Sequence, residues 1–167
     1  STHVPVVFSV DEAALVIRSL QPPYSLMVKL LYGSGLRLME CVRLRVKDID
    51  FSYKTITVRS GKGQKDRITL LPDLVSKDLE LQIVKARELH EFDLQSGYGA
   101  VFLPFALAKK YPAANREWGW QYVFPATNRS IDPRSGLERR HHIGEQLLQR
   151  AIKRSIVQAG ISKQAST

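Results

Sequence analysis

Two cations in the stretch from Gly33 to Arg67 stand where they could act on a phosphate. Arg37 follows a Gly33-Ser34-Gly35-Leu36 turn and opens a segment in which Leu38, Cys41, Val42 and Leu44 fall at helical spacing. Lys62 stands between Gly61 and Gly63. On one side of it Ile56 and Val58 alternate with Thr55 and Thr57; on the other, Ile68 and Leu70 flank Thr69, a pattern of two strands joined by a hairpin. A guanidinium is planar and permanently charged, which suits it to the non-bridging oxygens of a phosphodiester. An ammonium at a glycine-flanked tip can bring a charge or a proton to the same group. The pair could grip one phosphodiester from two sides. Glu40, one helical step from Arg37, is placed to orient the site or to pair with Arg37 or Arg43. Lys65 and Arg67 compete with Lys62 for the chemical role, and are expected to touch backbone phosphate or solvent instead.

These residues need rigid supports. Ser9 and Glu12 form a capping-box pattern, so a helix should run to about Leu20, stopped by Pro22-Pro23. Tyr24 to Tyr32 reads as a buried helix ended by Gly33 and Gly35. Segments 48–51, 55–59 and 67–71 should form a small antiparallel sheet. A long helix is expected from about Leu74 to Phe92, with Leu79, Ile83, Ala86 and Leu89 inward and His90 at the surface or helix end. Gly144 to Ala159 has the last strong helical stripe, through Leu148, Ile152, Ser155 and Ile156, with Gly160 as its stop. The expected class is α+β: mostly helical, with a three-stranded antiparallel sheet packed against helices.

The order GLRLMEC, LRVKDIDF, ITVRSGKGQKDRITLLP resembles the first catalytic box of tyrosine recombinases, the phage-integrase family. The G-L-R-x-x-E string, the D-I-D-F strand and the G-K-G-x-K-x-R hairpin fall in that family's order and spacing, and the resemblance covers nearly the whole chain. A further stretch, LPFALAKKYPAA with EWGWQYVFPA, resembles the extra insertion of the integron integrases, here at about residues 97–124. A short helix is expected over about Phe105 to Lys110 within it. In that subfamily the insertion contacts bases that bulge from folded single-stranded DNA. Aromatic faces suit that task, at ~1–3 kcal/mol for each stacked base. Trp120 is the expected contact, because alternation with Gln121, Tyr122 and Val123 suggests a strand to hold it; burial of both Trp118 and Trp120 in a core is the alternative. Residues 127–142 read as a polar basic loop in which Arg139, Arg140, His141 and His142 are expected to meet phosphate or base, or simply to be solvated. No carboxylate or thiol cluster accompanies the two histidines at ligand spacing, so no metal is expected there.

The resemblance implies a mechanism. A tyrosine attacks the scissile phosphate, forming a 3′-phosphotyrosyl link that the 5′-hydroxyl of another strand later attacks. Neither a metal nor ATP is needed as a cofactor. Arg37 would neutralise charge, Lys62 would protonate the leaving 5′-oxygen and Glu40 would support them. The family works as a homotetramer on DNA. The family's second box, His-x-x-Arg followed by the nucleophilic tyrosine, is not found here, and none of the six tyrosines has its context. The chain is therefore expected to be a catalytic-domain fragment without its core-binding domain, monomeric and inactive alone.

Composition agrees with a nucleic-acid partner. Formal net charge is +9 over 167 residues, with 44% hydrophobic residues, enough for one domain with a core. No basic amphipathic stretch with a broad apolar face points to a membrane surface. The single cysteine, Cys41, fits a reducing compartment, a bacterial cytoplasm on the resemblance. Two other readings compete: a DNA-binding module without chemistry, and a nucleotide-binding enzyme using SGKGQKD as a phosphate loop. The latter fails the G-x-x-x-x-G-K-[ST] spacing, and a strand rather than a helix follows. A type IB topoisomerase shares the chemistry, but the tryptophan-rich insertion points away from it.

Overall fold

Ser9 caps the first helix as its sequence demands: its hydroxyl accepts from Glu12 N at 3.1 Å, and the Glu12 carboxylate accepts from Ser9 N at 3.0 Å. The computed structural model describes residues 9–59 and 65–160, so the expected hairpin tip, with Lys62, lies outside the described residues. Helix α1 (Val10–Arg18) leads to α2 (Tyr24–Gly33) and the short α3 (Leu38–Val42). Strands β1 (Ile49–Asp50), β2 (Thr55–Val58) and β3 (Arg67–Leu70) form an antiparallel sheet in the order β1-β2-β3. Its register sets Ile49 opposite Ile56 and Val58 opposite Arg67. Helix α4 (Asp73–Gln95) follows, then α5 (Phe105–Lys110), a two-stranded ribbon of β4 (Ser130–Ile131) and β5 (Glu138–Arg139), and α6 (Glu145–Gln158). The α+β architecture is the one the sequence pattern implies.

One core holds α1, α2, α3, α6 and the inner face of the sheet together. Val16, Met27, Leu30, Cys41, Val42, Ile56, Leu79, Phe124 and Leu148 are fully buried in it. Burial pushes the Cys41 thiol up to about 12, which makes it an inert core residue. Ser155, on the inward face of α6, donates its hydroxyl to the Val16 carbonyl at 2.6 Å and ties the last helix to the first. A second cluster of Val101, Leu103, Ala114, Trp120 and Tyr122 lies within the insertion.

The two clusters meet along residues 121–126. Val46 N donates to the Gln121 carbonyl and Val123 N to the Leu44 carbonyl, each at 2.9 Å. Beyond them, Ile143 N donates to the Phe124 carbonyl at 2.8 Å and Ala126 N to the His141 carbonyl at 2.7 Å. Gln121 secures the insertion from inside, its amide donating to the carbonyls of Gly99, Asn115 and Glu117. Among the described residues, no helix is long and apolar enough to cross a membrane.

Three local expectations change. Trp120 closes a 3-10 turn, Trp118–Trp120, and the extended backbone begins only at Gln121. Residues 127–142 contain the β4–β5 ribbon, with Ser130 opposite Arg139, rather than an irregular loop. His90 is buried, not at the surface: its Nε2 donates to the Arg116 carbonyl at 3.0 Å and its ring stacks on Trp118 with centroids 5.9 Å apart.

Candidate active site

Gly35 is the pivot of the corner that presents Arg37. Its φ of +65° suits a residue without a side chain and turns the chain so that Leu36 enters the core while Arg37 stays exposed. Arg37 caps α3, and its backbone N donates to Glu40 Oε1 at 2.8 Å. Arg67, at the base of the returning hairpin arm, donates from Nη2 to the same oxygen at 2.8 Å and to the Gly35 carbonyl at 3.4 Å. Thr69, two residues along β3, donates its hydroxyl to the Ser34 carbonyl at 2.7 Å. Glu40 thus pairs with Arg67 rather than with the side chain of Arg37 or Arg43. A half-exposed pair like this contributes under ~1 kcal/mol to stability. Its effect is geometric: it docks one arm of the hairpin against the turn that holds Arg37.

The other expected contacts separate into two groups. Lys65 is exposed beside the hairpin tip, and Arg67, though bound to Glu40, keeps 47% of its side-chain surface open. His141 is exposed too, 3.8 Å between ring centroids from His142, and both rings meet Tyr122 edge-on. His142 is buried. Its Nδ1 lies 2.7 Å from the Ile143 carbonyl, which can only accept, so Nδ1 carries the proton. Burial pushes His142 down to about 4, helped by His141 and Arg43. His141 is lowered as well, first because one side of its otherwise exposed ring is desolvated against His142 and Tyr122, and next by Arg134.

Arg139 is largely covered and pairs with Asp132 at 3.4 Å. Arg140 departs furthest from its expected DNA contact. Its Nε and Nη2 each lie 2.8 Å from an oxygen of Asp93, and Nη1 donates to the carbonyls of Ala126 and Thr127. Arg129 adds a third bond to Asp93 at 2.8 Å. Burial raises the Asp93 carboxyl, but the hydrogen bonds from Arg140 and Arg129 outweigh it and hold the group below the usual carboxylate range. Four of the five N–H donors of Arg140 are spent inside the protein and the residue is buried, so it fastens the ribbon segment to α4.

Trp120 also stands away from its expected place. The residue is 8% exposed, with Lys47 Nζ 4.1 Å and the Arg59 guanidinium 5.0 Å from its ring centroid. A base could stack there only by displacing those cations. Trp118 is the more open of the two, half-buried between His90 and Arg87.

Sequence reasoning missed a buried ionic group beneath this region. Arg45 is buried and donates from Nη1 to the Trp120 carbonyl at 2.7 Å, and from Nη2 to the Phe102 carbonyl at 2.7 Å and Tyr122 Oη at 3.2 Å. Asp48 accepts from Arg45 N at 3.0 Å and from Arg59 Nε at 2.6 Å. Burial raises the Asp48 carboxyl, opposed by the Arg45 hydrogen bond and the Arg59 charge, and burial lowers the Arg45 guanidinium. The only sequence signal was Asp48 in the D-I-D-F string; its partners across the insertion carry no mark of their own.

An exposed arginine on a rigid corner, with a hairpin docked beside it, suits work on a phosphodiester, and the comparison with known proteins agrees. The chain matches the phage integrase family over residues 10–167 and belongs to that family. It is 45% identical over 166 residues to an integrase/recombinase of Escherichia coli and to one of Pseudomonas aeruginosa, covering 99% of this chain and 49% of each relative. A tyrosine recombinase XerA of Pyrococcus furiosus is 51% identical over 47 residues, 28% of this chain and 16% of that one. The crystal structure of XerA recombinase shares the fold, with a TM-score of 0.59 at 24% identity, covering 99% of this chain and 46% of that one. The chain spans about half the length of the curated relatives it matches.

Proposed function

We propose that these residues form part of the catalytic domain of a site-specific DNA recombinase, in which Arg37 and Lys62 act on one scissile phosphate. The observation that carries this is the Arg67–Glu40–Arg37 corner, which docks an arm of the Lys62 hairpin against the arginine's turn. In the reaction, a tyrosine oxygen bonds to phosphorus and the bond from phosphorus to the 5′-oxygen breaks. Arg37 offsets the charge that builds on the non-bridging oxygens. The Lys62 ammonium gives its proton to the departing 5′-oxygen. Glu40 holds Arg37 and Arg67 in register, while Lys65 and Arg67 line the approach to the backbone.

The finer reading is an integron integrase that recombines gene cassettes as a tetramer on duplex and on folded single-stranded sites. The tryptophan-rich segment supports it. Trp118 and the exposed Tyr111 in that segment, with the exposed His141 beside it, are aromatic groups open to an extrahelical base. Lys62→Ala in the full-length protein should reduce covalent adduct on suicide DNA by at least ~100-fold, the usual worth of a general acid. Lys65→Ala should reduce it far less. A reversed order would move the acid to Lys65, and adduct-free binding by the unaltered full-length protein would favour a DNA-binding module without chemistry.

A further inference from the structure

The first arm of the hairpin is tied to something other than the Arg37 corner. Arg59 directly follows β2 and precedes Lys62 by three positions. Its Nε binds Asp48, a carboxylate that is almost wholly buried, and its guanidinium lies over Trp120. Asp48 also holds the backbone N of Arg45, whose guanidinium reaches Trp120, Phe102 and Tyr122. A continuous run of hydrogen bonds therefore connects the hairpin, through the core, to several points of the 97–124 insertion.

We propose that Arg59 is a positioning residue for the Lys62 acid, fastening the first arm of the hairpin to the insertion. The two arms then have different anchors. Arg67 fixes the second arm to Glu40, on the catalytic corner, and Arg59 fixes the first to Asp48 and Trp120. An arginine serving only as surface charge would have no reason to aim Nε at a buried carboxylate that, among the described residues, has one other hydrogen-bond partner.

This rests on the reading of Lys62 as the acid for the 5′-oxygen, and that chemistry supplies the test. A 5′-bridging sulfur departs as a thiolate and needs no proton. Arg59→Ala, Lys62→Ala and the double variant of the full-length protein are compared on oxygen and sulfur suicide substrates, with DNA binding and Tm measured alongside. Arg59→Ala should lose about tenfold or more on oxygen, a part of what a general acid contributes, and recover on sulfur. The double variant should cleave no more slowly than Lys62→Ala. Arg59→Lys keeps a charge near Asp48 and serves if Arg59→Ala fails to fold; a smaller, sulfur-recovered loss is expected. Equal loss of the Arg59 variant on both substrates, or none on oxygen, would overturn the inference. Recovery of Lys62→Ala without recovery of the Arg59 variant would overturn it and leave the acid role standing. Failure of Lys62→Ala itself to recover would bring down the acid role and this inference together.

Discussion

Arg140 and Arg37 are both arginines in a basic chain, and their surroundings give them opposite tasks. Arg37 keeps its guanidinium in the open, so its substitution should leave stability within ~0.5 kcal/mol. Arg140 is spent on Asp93, so Arg140→Leu should act through the fold: removing one partner of a buried pair costs ~3–5 kcal/mol, and the lower end applies here because Arg129 still binds Asp93. For a chain of this size that corresponds to a fall in Tm on the order of 10 °C, measurable by thermal melting. A melt unchanged from the parent would mean the pair is not buried as described. Nothing in the run Arg139-Arg140-His141-His142 separates the member that faces solvent from the one that faces Asp93, because that carboxylate lies 47 positions away. His90 was hidden in the same manner: its helix position is legible, but the Arg116 carbonyl that buries it is not.

At the scale of elements, periodic segments were readable and composite ones were not. α2, α4, α6 and strands β1 and β2 fall close to where apolar spacing puts them, since each packs apolar side chains into one core; β3 forms where its alternation puts it, yet its Ile68 and Leu70 are exposed, and α5 packs Leu107 on the second cluster. The β4–β5 ribbon has two residues on each side and no alternation to detect; Asp132, accepting from Arg134 and Arg139, helps hold it. The ribbon delivers His142 against Tyr122, and a pH dependence follows. His142 is depressed to about 4 in the folded chain and titrates near 6.5 when unfolded. Between those values the unfolded state binds the proton and the folded state does not, so stability is full above about pH 6.5 and falls as pH drops toward 4. Melts at pH 7 and pH 5 should differ by more in the parent than in His142→Gln. An equal pH response in both would place the titration elsewhere.

For the molecule as a whole, charge and insertion make separable predictions about DNA. If about five phosphates are neutralised on duplex, the log–log slope of affinity against salt should be about −4 to −5. A bulged hairpin should bind more tightly than plain duplex in a gel shift at equal salt. Equal affinity for both would count against the cassette-recombining reading while leaving the phage-integrase assignment intact. The catalytic corner was legible because Gly35, Arg37 and Glu40 sit within one short segment; the insertion's seating was not, since Arg45 and Trp120 are 75 positions apart. The central claim is that Arg37 stabilises the charge that builds during strand cleavage. Cleavage of suicide DNA by the full-length protein carrying Arg37→Ala tests it most directly, with DNA affinity measured in parallel. Adduct formation should fall by about 100- to 1,000-fold, the worth of one such donor, while binding changes little. Cleavage by Arg37→Ala at the parent's rate would contradict the account.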